Sequence, residues 1–579
     1  MVFTPPAWVP TLPFDPPDSI PLHEFWGNER YGRMSFEKSR NPFTCGLTGK
    51  TYTNAEMALR FELLARALAA RLGWHPKHET PWDKVVGVFS FNSIDYLMST
   101  FAVHRLSGIV TPANAMYSPS ELEHQLRSSG AKALITCVPL LETALKATRA
   151  AGIPDDRVFI MDVAGEPAKR VPFKTLDDLI AEGCTLPEPE PLAWTKGQGG
   201  RQVAYLCYSS GTSGLPKAVM VSHLNIIANI MQIRWYDQPA KTRRGIETQV
   251  HMALLPLSHI YGLIVVANAG IYRGDGAIVL PRFELKALLE CIQRYKVNLM
   301  HIVPPIIIML LRNAELCAKY DLSSMRLVYT GAAPLGAETH EEMRRAFPGW
   351  EVAQGYGMTE TATVVSSASE DDIVVGTSGS LLPRTRARIV DEEGREVTEP
   401  GRRGELLVQS PSVTLGYYHN ERATAETFVF DDEGGRWIRT GDVAVVSLSP
   451  AGHEHFSIVD RIKELIKVKG HQVAPAELEA HLLSHPAVAD CAVIAVPDLD
   501  AGEVPKAFVV KSASAALKPD EEVTRDICKH VEEHKARYKW LKGGVEFIDV
   551  VPKSPSGKIL RRLLKDREKE ARRAKGPKL

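Results

Sequence analysis

A run rich in glycine and hydroxyl side chains carries the strongest chemical signal in the chain. It reads Tyr208-Ser209-Ser210-Gly211-Thr212-Ser213-Gly214-Leu215-Pro216-Lys217 and follows residues 202–207, which we expect to form a strand. Glycines let a backbone approach a ligand closely, while hydroxyls and main-chain N–H groups donate to phosphate oxygens. Because an ordered strand leads in and an apolar stretch leads out, the run predicts a phosphate-binding loop rather than a flexible linker.

This loop differs from that of kinases and ordinary P-loop ATPases. The P-loop pattern is G-x-x-x-x-G-K-[ST], whereas here the two glycines are three apart and Lys217 is followed by Ala218. The sequence therefore disfavours both of those classes.

A second cluster, Gln354-Gly355-Tyr356-Gly357-Met358-Thr359-Glu360, combines glycines with a tyrosine and a carboxylate. The glycines permit a tight backbone beside a flat ligand, and the tyrosine ring could stack on a base. Glu360 is a hard oxygen ligand suited to Mg²⁺ on a triphosphate. Taken alone, this cluster could be a simple turn.

Three weaker clusters lie further along the chain. Asp442, in Arg439-Thr440-Gly441-Asp442, offers a carboxylate that we place at a strand end, where it could accept hydrogen bonds from ribose hydroxyls. Lysines occur in the segments 460–467 and 552–558. Singly, each would be an ordinary turn residue or a solvated charge.

Together, the five clusters resemble the adenylate-forming superfamily of acyl-CoA synthetases, firefly luciferases and peptide-synthetase adenylation domains. The clusters occur in the family's order, and the resemblance runs from about residue 30 to 570. Within the superfamily, the chain looks like the 4-coumarate–CoA ligase branch. It implies a ligase that joins a small carboxylic acid to coenzyme A using ATP and Mg²⁺. The acid would first form an acyl adenylate with release of diphosphate, and the thiol would then displace AMP.

The resemblance also implies roles for individual residues. Lys558 would be the catalytic lysine of adenylation, Glu360 would hold Mg²⁺, and Lys463 would be the hinge of a small C-terminal domain. Contacts to ATP are implied for Ser209, Ser210, Gly211, Thr212, Ser213, Lys217, Gln354, Gly355, Tyr356, Thr359, Asp442 and Arg461. Contacts to coenzyme A are implied for Arg282, Lys467, Lys469 and Gly470. The acid would meet His259, Tyr261, Gly331 and Ala333.

Two departures from the family pattern affect the substrate sites. Ser258 replaces an aromatic residue that many relatives carry before the histidine, which would enlarge the acid pocket. Arg282 stands where plant relatives have a lysine, so charge is kept and geometry is not. The apolar run after Tyr261 predicts a hydrophobic acid, aryl or about six to ten carbons long, since each buried methylene contributes about 0.8 kcal/mol.

Two half-reactions need different surroundings. Attack of a weak carboxylate nucleophile on the α-phosphorus requires cations and in-line positioning. Attack of a thiol on the adenylate instead requires a tunnel through which the thiol can reach the adenylate. A mobile small domain that presents first Lys558 and then the Lys467–Gly470 face can supply both.

The elements that must position these residues follow a recognisable order. Strands at 85–89 and 133–137 alternate with helices at 54–72, where Asn54 is the expected cap, and at 95–106. The alternation resumes between residues 277 and 329 and predicts parallel sheets with helices on both faces. Beyond residue 375, short strands with Gly-rich turns indicate an antiparallel part.

The fold class is therefore α/β: a large N-terminal domain of parallel sheets plus a smaller antiparallel, β-barrel-like part, followed by a small mobile α+β domain. We predict an N-terminal domain over residues 1–459, a hinge at 460–463 and a C-terminal domain over 464–579.

Composition supports an ordinary globular protein of several domains. The 579 residues include 69 Lys+Arg and 69 Asp+Glu, with 44% hydrophobic residues, so neither disorder nor a dedicated nucleic-acid binder is expected. Eight scattered cysteines without a C-x-x-C pair favour a reducing compartment. The uncharged stretch 248–272 contains histidines and Pro256, and we interpret it as buried core, not a membrane segment.

The C-terminal end is basic, and we interpret it as a solvated terminal helix rather than a binding patch. Its last residues, Pro577-Lys578-Leu579, resemble the Ser-Lys-Leu peroxisomal address, so a peroxisomal location is expected, with the cytoplasm as second choice.

Two other functions stay open at this point. One is an adenylation enzyme that loads a carrier protein, which the Lys469-Gly470 element and the lack of a carrier domain after Lys558 disfavour. The other is a luciferase-like oxygenase.

Overall fold

The structure is a computed structural model that describes residues 1–165, 171–209, 216–397, 399, 401–469, 471–498, 500–554 and 557–574. Several sequence-predicted positions lie outside the described residues: Ser210, Gly211, Thr212 and Ser213 of the phosphate loop, Gly470, and the terminal Pro577, Lys578 and Leu579.

The strands, in chain order, are β1 Phe43–Cys45, β2 Thr51–Tyr52, β3 Val85–Phe89, β4 Ile109–Pro112, β5 Ala133–Thr136, β6 Val158–Ile160, β7 Val203–Ser209, β8 Lys217–Ser222, β9 Val250–Ala253, β10 Gly276–Val279, β11 Leu299–Ile302, β12 Leu327–Thr330, β13 Glu351–Met358, β14 Thr363–Ser367, β15 Ser380–Leu381, β16 Arg386–Val390, β17 Gly404–Gln409, β18 Phe428–Phe430, β19 Arg436–Leu448, β20 Glu454–Arg461, β21 Ile466–Val468, β22 His471–Val473, β23 Val488–Asp498, β24 Gly502–Lys511 and β25 Val545–Phe547.

The helices are α1 Leu22–Trp26, α2 Asn54–Leu72, α3 Tyr96–Arg105, α4 Pro119–Ser129, α5 Leu141–Ala151, α6 Leu176–Gly183, α7 Gln198–Arg201, α8 His223–Arg243, α9 Gly270–Tyr272, α10 Leu285–Tyr295, α11 Pro304–Arg312, α12 Ala314–Cys317, α13 Ala337–Ala346, α14 Glu421–Thr427, α15 Pro475–Leu483, α16 Asp520–His534 and α17 Arg561–Ala574. A helix with π-type hydrogen bonds spans Tyr261–Ala269, and Thr359–Thr361 form a 3₁₀ turn.

Two large sheets form the N-terminal part. One has the strand order β15-β14-β13-β12-β11-β9-β10-β1-β2, and the other has the order β6-β5-β3-β4-β7-β8. Their inner strands pair in parallel, for example β3 with β4 and β5, and β12 with β11 and β13. Strand β3 is buried at every position, as expected for a parallel strand covered on both faces. The predicted parallel α/β architecture is confirmed.

Helix α2 has the predicted bounds but a different cap. Thr53 is the N-cap residue: its hydroxyl accepts from the Glu56 N–H, and the Glu56 carboxylate accepts from the Thr53 N–H. Asn54 is the first helical residue, so its prediction as the cap was wrong. The reason is that a Thr-x-x-Glu capping box satisfies two free donors at once.

The antiparallel part is a five-stranded sheet in which β16, β17, β19 and β18 follow one another and β20 also pairs with β19. Asp442 lies inside the thirteen-residue strand β19, so its placement at a strand end was wrong. The strand continues through Gly441, which adopts a φ of +70°, and the register with β20 shifts between Val443 and Ala444. A bulge of this kind re-aims a side chain without ending the strand.

The hydrophobic interior is divided along the chain. A large core takes in residues from Val9 to Phe456, and a second core begins at Ile466. The stretch 248–272 lies in the first core as strand β9 and the π-type helix, and among the described residues we find no helix long and apolar enough to cross a membrane. The basic tail forms helix α17, but it packs on the second core through Leu564 rather than being fully solvated.

Candidate active site

The hairpin β7–β8 holds the two ends of the predicted phosphate loop. Ser209 and Lys217 are opposite one another in its antiparallel register. The Ser209 hydroxyl donates to Oε1 of Glu360 over 2.9 Å, and the Lys217 ammonium lies 4.7 Å from the centre of the Tyr417 ring. The sheet therefore brings the first and second sequence clusters into direct contact, although 151 residues separate Ser209 from Glu360.

Glu360 is a buried carboxylate, 6% exposed, that is held by its neighbours. Besides Ser209, the Tyr417 hydroxyl donates to the same oxygen, Oε1, over 3.0 Å. Burial and the adjacent carboxylate raise the pKa of Tyr417. The Thr414 N–H donates to the Glu360 carbonyl. Sequence reasoning missed Tyr417, whose only local signal is a tyrosine pair after Gly416.

Gly357 permits the tight backbone at this point. A Cβ atom there would lie 1.6 Å from the carbonyl oxygen of Thr363 on the neighbouring strand β14, so a larger residue cannot be accommodated without moving that strand. Thr359, half-buried, begins the 3₁₀ turn that follows. The close approach of β13 and β14 therefore sets the position of both Thr359 and Glu360.

A tyrosine, a carboxylate and a guanidinium form the next group. The Tyr356 hydroxyl donates to Oδ2 of Asp442 over 2.6 Å, and Arg461 Nε lies 3.6 Å from Oδ1. Asp442 and Arg461 face each other across β19 and β20. Burial raises the pKa of Asp442, while Arg461 and the Tyr356 hydrogen bond oppose that shift.

Lys558 enters this group from the C-terminal part of the chain. Its N–H donates to Ser554 Oγ over 3.2 Å, and its carbonyl accepts from the Ser554 N–H, which closes a turn. Gly557 in this turn has a φ of +80°, and a Cβ there would lie 3.1 Å from Val303 of the large domain. The turn is thus packed against the end of strand β11.

The charges around the Lys558 ammonium come from both parts of the chain. Burial, and then the Arg461 charge, lower its pKa to about 8 against the opposing effects of Glu464, Asp442 and Glu360. The lysine therefore lies within electrostatic reach of the carboxylates of the second and third clusters. Three sequence clusters that are individually weak converge on one centre.

His259 lies beside the same lysine. Its Nδ1 accepts the Tyr261 N–H over 3.2 Å, which fixes the ring and leaves Nε2 as the other nitrogen. Burial, and then the Lys558 charge, lower the His259 pKa to about 4, so the imidazole is neutral at pH 7. With Nδ1 accepting, the neutral ring carries its proton on Nε2, which can donate one hydrogen bond to a developing phosphate or carbonyl charge.

Tyr261 and the loop after β12 form an adjacent wall. A Cβ on Gly331 would lie 3.3 Å from the Tyr261 ring, so the glycine lets the ring pack on the backbone. Gln354 Oε1 accepts the Leu335 N–H over 3.0 Å and ties this loop to β13. Ala333 is half-buried in the loop, and Ala332 adopts a φ of +69°. The Gln354 side chain therefore holds this loop against strand β13.

Four predicted cationic residues are not gathered into this centre. Lys463 is exposed in the turn after β20, and Lys467 and Lys469 are exposed on the hairpin β21–β22. Lys469 has a φ of +49°, and its N–H donates to the Ala501 carbonyl. Arg282 is exposed, with its guanidinium 5.5 Å from the Phe91 ring.

A buried ionic network that sequence reasoning missed connects the segment after the predicted hinge to the Lys558 segment. Arg561 Nη1 lies 2.5 Å from Glu464, and Nη2 lies 2.7 Å from Glu479 of helix α15. Its Nε also donates to the Val493 carbonyl. A lone arginine in a basic tail gives no sequence signal for such pairing. The network fixes the lysine-bearing turn to the residue that directly follows Lys463.

Comparisons with known proteins agree with this arrangement. The family model described as AMP-binding enzyme matches residues 37–418, and the one described as AMP-binding enzyme C-terminal domain matches residues 477–558. Acyl-CoA ligase AKT1 of Alternaria alternata is 42% identical over 98% of this chain and 97% of its own length. Acyl-CoA ligase easD of Emericella nidulans is 39% identical over 98% of this chain and 100% of its own.

Solved structures give the same result. The anthranilate CoA ligase AuaEII in complex with anthranoyl-AMP has a TM-score of 0.77 at 25% identity, covering 96% of this chain and 98% of its own. ATP-bound MatB from Rhodopseudomonas palustris has a TM-score of 0.76 at 26% identity, covering 95% and 100%. The chain therefore belongs to the adenylate-forming AMP-binding enzyme family, and within it to the acyl-CoA ligases.

Proposed function

We propose that this acyl-CoA ligase activates a hydrophobic carboxylic acid, aryl or of medium chain length, at the centre formed by Glu360, Asp442 and Lys558. A carboxylate oxygen of the acid attacks the α-phosphorus of ATP, and the bond to the β-phosphate oxygen breaks, releasing diphosphate. The thiol of coenzyme A then attacks the carbonyl of the acyl adenylate, and AMP leaves. The observation that carries the proposal is that Lys558 converges with the carboxylates of Asp442, 116 residues away in the chain, and of Glu360, which is further still.

Lys558 has the position and charge to favour the first half-reaction. Its ammonium faces Asp442, whose carboxylate we assign to the ribose hydroxyls, and Glu360 on the phosphate side. A fixed cation at that point stabilises the charge that develops on the α-phosphate during in-line displacement. ATP would add negative charge around the lysine and keep it protonated.

The phosphate side fits a magnesium ion. Both hydroxyl donors of Glu360, from Ser209 and Tyr417, bind Oε1, and in the described part of the chain no hydrogen bond to Oε2 is present. A buried carboxylate oxygen with neighbouring hydroxyls is a donor set that Mg²⁺ accepts. When bound, the ion would neutralise phosphate charge. Glu360 would hold it, and Ser209 and Tyr417 would orient that carboxylate.

Nucleotide contacts are assigned to the surrounding backbone and side chains. We place the triphosphate along the Ser209–Lys217 hairpin and the α-phosphate near Thr359. We place the adenine between the Gly331 loop and Tyr356, and the ribose at Asp442 and Arg461. The short Tyr356–Asp442 hydrogen bond supports the last assignment because it holds one carboxylate oxygen and leaves the other toward Arg461.

The acid is assigned to the wall built by Tyr261, Gly331 and Ala333. The neutral His259 ring accepts the Tyr261 N–H and is close enough to Lys558 for its pKa to be lowered by that charge, so we assign it to the place where the carboxylate meets the α-phosphate. Gly262 and the rest of the π-type helix behind Tyr261 are buried and uncharged, which favours an apolar acyl group. The structural similarity to an enzyme titled as an anthranilate CoA ligase supports an aryl acid among the candidates.

A screen of acids tests this proposal. Diphosphate release from ATP is measured with acetate, hexanoate, decanoate, 4-coumarate, benzoate and a panel of amino acids, each with and without coenzyme A. We expect kcat/KM to rise with buried acyl surface, about fourfold per methylene, and release to require coenzyme A for turnover. A preference for acetate or an amino acid, or turnover without coenzyme A, contradicts it.

A pocket variant sharpens the assignment of the acid. Ser258 is half-buried beside His259, so Ser258→Phe fills space at the acyl wall. We expect the bulkiest acids to lose the most, by overpacking, while small acids keep their rate. A uniform loss across acid size would place the acyl group elsewhere.

A further inference from the structure

Four histidines gather on the C-terminal domain, away from the adenylation centre. His530 and His534 are one turn apart on helix α16, where residues four apart face the same side. His481 lies on helix α15, and His485 follows two residues after that helix ends. Helix α15, the segment just after it, and helix α16 therefore bring the four rings together.

The ring nitrogens are close enough to share an ion. One nitrogen each from His481, His530 and His534 lies within 4.8 Å of the others. The His481 and His530 rings are stacked with centroids 4.2 Å apart, and the His534 centroid is 5.4 Å from His481. Ligands of a tetrahedral zinc ion are about 3.4 Å apart, from Zn–N bonds of about 2.0–2.1 Å. Because an imidazole binds a metal in the plane of its ring, the stacked His481 and His530 rings must also turn out of parallel, by side-chain rotation, to reach one ion.

The present hydrogen bonds of these rings are easily exchanged. His481 Nε2 is 3.3 Å from the His530 carbonyl, and His530 Nε2 is 3.3 Å from Ser484 Oγ and 3.4 Å from the His481 carbonyl. These distances are long beside the usual 2.9–3.0 Å for N–H···O bonds. A metal bond would replace interactions that contribute little.

His534 already has the orientation of a metal ligand. Its Nδ1 lies 2.9 Å from the His530 carbonyl, which suits an Nδ1–H donor and leaves the lone pair of Nε2 free. Histidines that bind metals usually donate their second nitrogen in this way. His534 is exposed and His481 is buried. An ion could therefore enter from solvent beside His534 and be held on its inner side by His481.

The ring packing also suits a cation. Parallel stacking of the His481 and His530 rings, with centroids 4.2 Å apart, would be repulsive if both were charged. Neutral imidazoles are the form that binds a metal.

We propose that His481, His530 and His534 form a binding site for Zn²⁺ or a similar imidazole-preferring divalent ion. The fourth position is taken by water or by His485, whose ring centroid is 5.1 Å from that of His530. Three nitrogen ligands exclude Mg²⁺, which requires hard oxygen donors. This ion is therefore distinct from the one assigned to Glu360. It would tie α15 to α16, and Ala480, beside His481, packs against Gly336 of the large domain.

Metal titration of the full-length chain, prepared without a polyhistidine tag and stripped with a chelator, tests the proposal. We expect one equivalent of Zn²⁺ to bind by calorimetry in the presence of millimolar Mg²⁺. Co²⁺ should give the absorption of a nitrogen-ligated, four- or five-coordinate ion, and Zn²⁺ should raise the melting temperature by ~2–4 °C.

Variants locate the ion. His530→Ala and His534→Ala should each weaken Zn²⁺ binding at least tenfold, and His485→Ala less than fivefold. His124→Ala, on helix α4, is the matched control and should change nothing. Diphosphate release should be retained by all four variants, which shows that they are folded. Equal Zn²⁺ affinity in wild type and His530→Ala/His534→Ala, or binding weaker than millimolar in wild type, overturns the proposal.

Discussion

Two lysine-bearing segments of the C-terminal domain have opposite surroundings in this structure. Lys558 lies in a turn packed against Val303, and its ammonium is surrounded by buried charges from both domains. Lys467 and Lys469, on the hairpin β21–β22, are exposed. Adenylation and thioester formation take place at the same carboxyl group of the acid, so each of the two segments would have to reach that group in turn. Under the proposed roles this arrangement suits adenylation, because Lys558 is at the centre and the face predicted to bind coenzyme A is exposed elsewhere.

Removal of the Lys558 charge gives the largest expected effect. Lys558→Ala should slow acyl-adenylate formation about 10²–10³-fold, because one preorganised charge donor is lost from the transition state. Thioester formation from a supplied acyl adenylate should fall far less. The two steps are separated by single-turnover measurements of diphosphate release and of thioester. An equal loss in both steps would show that Lys558 is not specific to adenylation.

Locking the small domain in its present position should spare adenylation and slow thioester formation, which is the reverse of the effect expected for Lys558→Ala. Ala480 Cβ lies 3.0 Å from a Cβ built on Gly336. A disulfide needs about 3.5–4.5 Å, so the two segments must move apart slightly to form one. Gly336 has a φ of −62°, so a cysteine fits its backbone. The oxidised Gly336→Cys/Ala480→Cys variant should keep adenylation and lose thioester formation at least tenfold.

The lock has an internal control. Reduction should restore thioester formation, and each single cysteine variant should behave like wild type under oxidising conditions. If the oxidised double variant still forms thioester at the wild-type rate, the small domain does not need to move between the two steps.

A smaller and complementary effect is expected at the exposed hairpin. Lys469→Ala removes a cation that makes no ion pair within the described chain, so adenylation should be unchanged. The KM for coenzyme A should rise about three- to tenfold, as for loss of one solvent-accessible phosphate contact. The measurement is the steady-state KM for coenzyme A at saturating acid and ATP. A change in diphosphate release without coenzyme A would contradict the assignment.

The smallest effect concerns pH. Because the pKa of Lys558 is lowered to about 8, the active ammonium form is present below that pH and is lost above it. The kcat/KM for ATP in the adenylation half-reaction should therefore decline above about pH 8, which reports the free enzyme. Thioester formation from supplied adenylate should lack this decline, and so should the residual activity of Lys558→Ala.

Regular elements could be predicted from the sequence with accuracy. Strand Val85–Phe89 and helix Asn54–Leu72 have the predicted bounds. In each, the hydrophobic period and the flanking residues agree. Asn54 was misread as a cap because two residues able to cap are adjacent, and only the Glu56 side chain decides between them. Asp442 was misplaced because a bulge with Gly441 at positive φ looks like a turn in sequence.

The site could be predicted as a set of residue types but not as a set of contacts. Glu360 was recognised from its own motif, while its partner Tyr417 comes from a loop that has no chemical pattern. The pairing of Arg561 with Glu464 and Glu479 depends on three segments meeting in one core. Contacts of that kind are set by tertiary packing, which local periodicity does not encode.

The Arg561 network has a mechanical consequence. Breaking a buried ion pair by removing one partner costs ~3–5 kcal/mol, so the link between Glu464 and Arg561 is stiff compared with an exposed turn. Glu464 directly follows the predicted pivot at Lys463, and Arg561 is three residues beyond Lys558. The residue that follows the predicted pivot and the segment that carries Lys558 thus belong to one rigid unit. A change in a backbone dihedral angle at residue 463 would therefore rotate Lys558 together with Glu464 as one rigid body.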